Sequence, residues 1–228
     1  MSGIISHTQE LVNHTSLFPA EVVTVVATEE MWEKPLIMAE EELIVTACTK
    51  RKREFRAGRN CAHAALDILG LPRQPILRDS NRAPCWPEGY QGSISHCKDL
   101  CLAACTSKNP IMSLGLDVEP LAPLSPEVEG YIYTSNELEY FHSLSRKLPE
   151  RLVFSAKESL YKCLYPLINQ FFGFHAVEIV LDDRKQLFNF HSTGQIEFNI
   201  PDHLQFHGRY LVTKTHLITG CYLSSIST

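Results

Sequence analysis

The stretch SLGLDVEPL, residues 113–121, alternates apolar Leu114, Leu116 and Val118 with Gly115, Asp117 and Glu119. Such period-two alternation predicts a β-strand whose successive side chains point to opposite faces. Asp117 and Glu119 therefore project the same way, and Pro120 ends the strand. Two carboxylates on one strand face suit a hard cation such as Mg2+, although an acidic pair of this kind is also what the wet face of a strand looks like.

Downstream, SNELEYFHSLS and ERLVFSAKESLYKCLYPL read as helices. Val153, Ala156, Leu160, Cys163 and Leu167 form the apolar face of the second helix. Glu158 lies off that face, shortly after the acidic strand, which makes it the candidate third carboxylate. Lys162 stands one helical turn on, where it could neutralise a phosphate; the pair also fits a solvated salt bridge contributing about 0.2–0.5 kcal/mol. The chain then closes with strand-like segments AVEIVLD, QLFNF, QIEFNI and YLVTKTHLITGCYL.

Upstream, the turn SKNPIM marks a boundary near Asn109, giving halves 1–109 and 110–228. In the first half, EVVTVVAT reads as a strand and MAEEELIVTAC as a short acidic helix. RKREFRAGRNCAHAALDILGLP is the clearest helix there: Phe55, Ala62, Leu66 and Leu69 line one face, and Gly70 with Pro72 stops it. Lys52, Arg56, Arg59 and His63 recur at helical spacing as a basic stripe. RDSNRAPCWPEGYQG reads as an ordered loop leading into strands at SISHC and LCLAACT.

Arg51 and Arg59 around the basic helix, Arg82 in the loop and His96 at the end of SISH form a second constellation. Guanidinium groups from separate elements could bind a multiply phosphorylated ligand, while for each arginine a solvated face is the plainer alternative and for His96 a satisfied turn histidine.

Composition bounds the rest. The 228 residues are 44% apolar and 21% charged with net charge −5, an ordinary globular balance without the basic excess that nucleic-acid binding requires. The amino terminus has no basic start followed by an apolar run, and no segment is long enough to span a bilayer, so a cytoplasmic location is expected. The eight cysteines are then expected as reduced, buried thiols. Cys97, Cys101 and Cys105 lack zinc-knuckle spacing and fall on an apolar strand. Neither G-x-x-x-x-G-K-[ST], G-x-G-x-x-G nor G-x-S-x-G occurs, which argues against P-loop, Rossmann and serine-hydrolase readings.

KRKREFRAGR, RAPCWPEGYQGSISHC, LGLDVEP and FSAKESLYK, in this order and at these intervals, resemble the 4′-phosphopantetheinyl transferases, and among them the enterobactin synthetase component D subfamily of the surfactin-type group. The resemblance runs from about residue 50 to 162. It implies two similar α+β halves about a pseudo-twofold axis, with coenzyme A bound between them. It implies transfer of the phosphopantetheine arm of coenzyme A to a serine of an apo carrier protein, releasing adenosine 3′,5′-bisphosphate.

Carried over by position, Asp117, Glu119 and Glu158 match the acidic Mg2+ positions, and Lys162 the closing lysine near the phosphates. Arg51, Arg59, Arg82, Ser95 and His96 match positions that hold the 3′-phosphate and pyrophosphate of coenzyme A. Many relatives have Trp where this chain has Phe154, and some have Lys-Pro where it has RAP. The implied partners are aryl, peptidyl or acyl carrier domains, with a siderophore assembly line suggested by the subfamily, and a monomer by the pseudo-dimeric architecture. The competing readings are an inactive module that binds coenzyme A or carrier protein, and a Mg2+-dependent pyrophosphate hydrolase of coenzyme A, which would use water where the transferase uses serine.

Overall fold

The structure is a computed structural model that describes residues 17–144, 147–198 and 200–226; the amino-terminal segment read above for a leader lies largely outside them. The chain divides after Ile111 into two compact units, each α+β.

In the first unit, β1 (Val23–Val26), β4 (Tyr90–His96) and β5 (Cys101–Ser107) form an antiparallel sheet in the order β1-β5-β4, and β2 (Leu77–Arg78) pairs with β3 (Pro84–Cys85) as a small hairpin. The acidic segment gives helix α1 (Met38–Glu41), continued by a 3-10 turn over Glu42–Ile44. Helix α2 (Thr49–Ile68) packs on β5. Small side chains allow that close approach: Ala57, Cys61, Ala62 and Ala65 bury against Cys101, Ala103 and Cys105. Gly70 ends the helix region with φ of +80°, a conformation that favours glycine.

Cys101 and Cys105 are buried on β5 and Cys97 falls in the β4–β5 turn, off that strand, while Cys48 and Cys85 are exposed, contrary to the expectation of burial. The Cys61 hydrogen bond and then burial push the Cys101 pKa up, and burial with the Cys61 charge pushes up that of Cys105, so both stay protonated.

The basic stripe of α2 is not a free surface. Arg56 makes two 2.8 Å bonds to Glu41, and His63 Nε2 lies 2.9 and 3.0 Å from the oxygens of fully buried Glu40. Charges placed inside a domain need partners, and α1 supplies them, which sequence periodicity alone does not reveal. Burial opposes ionisation of Glu40, but the His63 hydrogen bond, the Ile76 amide and the His63 and Arg59 charges outweigh it and hold the carboxyl below its ordinary 4.5.

A depressed carboxyl contributes stability that is present above its unfolded pKa and is lost as pH falls through the folded one. The difference in thermal midpoint between the wild type and Glu40→Gln should therefore shrink as pH falls below about 4.5. A difference that stays constant from pH 7 downwards would contradict this.

In the second unit, β6 (Ile111–Pro120), β7 (Val177–Asp182), β8 (Leu187–Ser192), β9 (Leu204–Val212) and β10 (His216–Ser225) form a five-stranded sheet in the order β6-β10-β9-β8-β7. Helix α3 (Pro126–Ile132) was not anticipated; its signal is Ser125 as N-cap followed by proline at the first helical position. Helix α4 (Ser135–Ser143) has a capping box between Thr134 and Glu137. Helix α5 (Leu152–Ile168) packs on β10.

Val153, Ala156, Leu160 and Cys163 are buried as expected, whereas Leu167, in the last turn of the helix, is exposed. The segment QIEFNI forms no strand among its described residues. Gly194, with φ of +86°, donates its amide to the Ser192 hydroxyl, and Ser192 Oγ donates to the Ile196 carbonyl, which turns the chain away. YLVTKTHLITGCYL is two strands, because Thr213 Oγ1 accepts from the amides of Thr215 and His216 and closes a hairpin.

The approach of α5 to β6 depends on Gly115. A Cβ there would fall on the backbone carbonyl oxygen of Ser159 and press on the amide of Cys163. Ser113 Oγ donates to the Cys163 carbonyl from the same strand face. Gly115→Ala must push the helix from the strand that carries the acidic pair, at an expected cost of about 3 kcal/mol or more. The denaturant midpoint measures this; an unchanged midpoint would show that helix and strand are not in such contact.

Candidate active site

β6 is buried on both faces, so the acidic pair is not the wet face of an edge strand: Asp117 is 4% exposed and Glu119 is half-buried. Burying a carboxylate is costly unless donors or cations surround it. Asp117 has both. Lys162 Nζ lies 2.6 Å from its Oδ1 and also donates to the Leu116 carbonyl at 3.1 Å, and Ser155 Oγ donates to Oδ2 at 2.9 Å. Arg151, at the N-cap of α5, bonds Glu119 Oε2 through Nη1 at 2.7 Å and the Ala122 carbonyl through Nε at 3.1 Å.

Glu158 is half-buried on α5 and feels both strand carboxylates. Burial raises its pKa; Lys162 opposes the shift, and the charges of Asp117 and Glu119 add to it. Glu119 is raised as well, first by burial and then by the charge of Asp117, against the pull of Arg151 and Lys162. Thus α5 and β6 bring together Asp117, Glu119, Glu158 and Lys162. Three carboxylates face two cations there, and two of the three are held reluctantly ionised. Hard oxygen donors with residual negative charge fit a divalent cation of the Mg2+ type.

In the first unit, Arg51 Nη1 and His96 Nε2 are 3.0 Å apart, with Glu54 within 3.7 Å of the arginine and 3.9 Å of the histidine. Arg82 is exposed with φ of +68° in the β2–β3 turn, where Asp79 Oδ1 accepts from the amides of Asn81 and Ala83. Ser95 is buried on β4, and as a strand neighbour of His96 it points to the opposite face.

Arg59 is placed differently from a surface cation. It is 5% exposed, its Nε donates to the Ile76 carbonyl at 2.9 Å and its Nη2 to the Leu77 carbonyl at 3.2 Å, and burial pulls its pKa down to about 10. It anchors the residues leading into β2.

Three contributors were not singled out from sequence: Arg151, Ser155 and Lys157. Arg151 had a signal, since a cation at a helix N-terminus opposes the macrodipole and calls for another partner. Ser155 and Lys157 sit among apolar neighbours of α5, and a lysine there needs a buried counter-charge. Lys157 Nζ finds Glu137 Oε2 at 2.6 Å and the carbonyls of Ile132 and Phe174 at 2.9 and 2.8 Å.

Comparison with known proteins bears on the family of the chain. Residues 39–106 match a family profile described as the 4′-phosphopantetheinyl transferase N-terminal domain, and residues 113–215 match the 4′-phosphopantetheinyl transferase superfamily. The chain is 37% identical over 174 residues to 4′-phosphopantetheinyl transferase Svp of Streptomyces mobaraensis, covering 73% of this chain and 71% of that protein. It is 35% identical over 192 residues to 4′-phosphopantetheinyl transferase Npt of Nocardia iowensis, covering 80% and 86%. Enterobactin synthase component D of Salmonella typhi is 37% identical over 121 residues, about half of each chain at 51% and 50%. Among the described residues, no helix is long and apolar enough to cross a membrane.

Proposed function

The chain belongs to the 4′-phosphopantetheinyl transferase family, and from that premise we propose that it moves the phosphopantetheine arm of coenzyme A onto a serine of an apo carrier protein with the help of Mg2+ held by Asp117, Glu119 and Glu158. The observation that carries the reading is the convergence of those carboxylates with Lys162 on β6 and α5. The carriers are aryl, peptidyl or acyl carrier domains. The relatives named enterobactin synthase component D support a siderophore assembly line as their source.

The carrier serine oxygen attacks the phosphorus that bears the pantetheine arm, and the bond from that phosphorus to the bridging oxygen breaks. Adenosine 3′,5′-bisphosphate leaves with that oxygen. Bound Mg2+ would offset the negative charge that builds on the pyrophosphate oxygens. Glu158 takes the serine proton, directly or through one water, a role that suits a carboxyl whose basicity is raised by burial. Lys162 holds Asp117 in place and adds positive charge beside the phosphates.

Arg51, Arg82 and His96 are assigned to the phosphates of coenzyme A, with Ser95 beside them on the other, buried face of β4. Arg59 joins them, in the first instance, by anchoring the lead into the hairpin that carries Arg82.

The test is stoichiometry. Incubation with coenzyme A and an apo peptidyl carrier domain should release one adenosine 3′,5′-bisphosphate per carrier modified, and a carrier lacking its serine should release none. Release without any carrier would identify a hydrolase. Coenzyme A binding with no release would identify a binding module.

A further inference from the structure

Two hydroxyls behind the acidic residues have no part in the chemistry above, yet both are fully buried. Ser155 lies on α5 and Thr219 on β10, each 0% exposed. An unpartnered hydroxyl in such a place would cost about 1–3 kcal/mol, so each requires a specific partner. Ser155 Oγ lies 2.9 Å from Asp117 Oδ2 and 2.9 Å from Thr219 Oγ1, and Thr219 Oγ1 is also 2.8 Å from the Ser155 carbonyl.

A proton count fixes the direction of this chain. Each hydroxyl has one proton, and an ionised carboxylate can only accept. The bond to Asp117 must therefore use the Ser155 proton. The Thr219 proton is left for Ser155, at its Oγ or at its carbonyl. At Oγ, the Thr219 proton makes the polarity run from β10 through α5 to the strand carboxylate; at the carbonyl, it holds the α5 backbone that carries Ser155. Lys162 holds the other oxygen at 2.6 Å, so the Asp117 carboxylate is gripped at both ends by groups from one helix, and that helix also carries Glu158.

We propose that Ser155, backed by Thr219, is a positioning residue for divalent-cation binding: it fixes the rotation of the Asp117 carboxylate so that its oxygens meet the ion in a set orientation. The inference rests on the metal reading of Asp117, Glu119 and Glu158 and adds the residues that orient it. Groups that hydrogen-bond a metal-ligating carboxylate typically tune metal affinity by about 10–100-fold.

The test is Mn2+ titration of the whole protein with coenzyme A present, following the electron paramagnetic resonance signal of free Mn2+. Mn2+ serves as the probe because it accepts the same oxygen ligands. Ser155→Ala is expected to weaken Mn2+ binding by about tenfold, with thermal midpoint and metal-free coenzyme A affinity close to wild type. Thr219→Val should weaken it less, and Thr219→Ser, which keeps the hydroxyl, should restore it.

Wild-type Mn2+ affinity in both Ser155→Ala and Thr219→Val would overturn the proposal while leaving the metal reading intact. A wild-type protein that binds no Mn2+ would overturn both. Should Ser155→Ala fail to fold, the contrast of Thr219→Val with Thr219→Ser decides: equal affinities would reject the proposal, and a loss only in valine would support it.

Discussion

Glu158→Gln is expected to lower the transfer rate by about 10²–10⁴-fold while leaving the protein folded, because the substitution keeps size and hydrogen-bonding capacity and removes the charge and the basicity. The effect should fall on kcat more than on the KM for coenzyme A, since the serine proton is taken only as the reaction proceeds. Removing a negative charge also relieves Glu119 and Asp117, whose charges act against Glu158. Thermal stability should accordingly hold or rise slightly. Steady-state kinetics beside a melting curve checks both statements. A Glu158→Gln protein that transfers at the wild-type rate would remove Glu158 from the chemistry, and one that merely unfolds would show that its role is structural.

The largest stability effect is expected at Lys157. Its ammonium has three donors, and all three are used, on Glu137, Ile132 and Phe174. Glu137 in turn accepts the amides of Thr134 at 2.8 Å and Ile179 at 2.7 Å. One ion pair thereby ties the end of α3, the start of α4, the middle of α5 and strand β7. Burial lowers the Lys157 pKa, and the Glu137 charge and hydrogen bond oppose that loss.

Lys157→Met leaves the buried Glu137 carboxyl without its cation, a situation that costs about 3–5 kcal/mol. For a chain of this size that corresponds to a fall in thermal midpoint of roughly 6–20 °C. The double variant Lys157→Met, Glu137→Leu should not recover fully, because it leaves the Thr134 and Ile179 amides without acceptors at about 1–3 kcal/mol each. A Lys157→Met midpoint within the error of wild type would contradict the ion pair. Since Lys157 precedes Glu158 on α5, the milder variant Lys157→Arg is the better one for asking whether loosening this anchor also slows transfer.

Much of the fold could be read from local pattern. The alternation around Asp117 and Glu119 gave strand β6, the three-to-four spacing from Phe55 to Leu66 gave α2, and Gly70 marked where it ends. What remained hidden depends on partners far away in the sequence. Periodicity presents Arg59 and His63 as a solvated stripe, because nothing local announces that Glu40 will be folded beneath them. Lys157 and Glu137 are twenty positions apart, and nothing in either segment names the other as its partner. The hydroxyls of Ser155 and Thr219 are separated by 64 residues and meet only after β10 has come to lie under α5.

The missing strand at QIEFNI has a different cause. Its apolar residues Ile196 and Phe198 do pack against the core, as the alternation suggests, but the Ser192 hydroxyl and Gly194 divert the backbone so that burial occurs without a sheet ladder.

The acidic residues illustrate the limit most directly. Sequence places two carboxylates on one strand face and a third on a helix. Only the folded unit shows that Lys162 and Arg151 each occupy one oxygen of the strand pair while burial raises the pKa of Glu158. That arrangement makes the demand for a further cation visible.

The measurement that bears most directly on the account is the intact mass of an apo peptidyl carrier domain after incubation with this protein, coenzyme A and Mg2+, beside a parallel sample containing a chelator. The account predicts a gain equal to one phosphopantetheine arm that disappears with the chelator. An unchanged carrier mass across aryl, peptidyl and acyl carriers, in the presence of coenzyme A binding, would contradict the transferase reading, and a gain that persists with the chelator would contradict the role assigned to Asp117, Glu119 and Glu158.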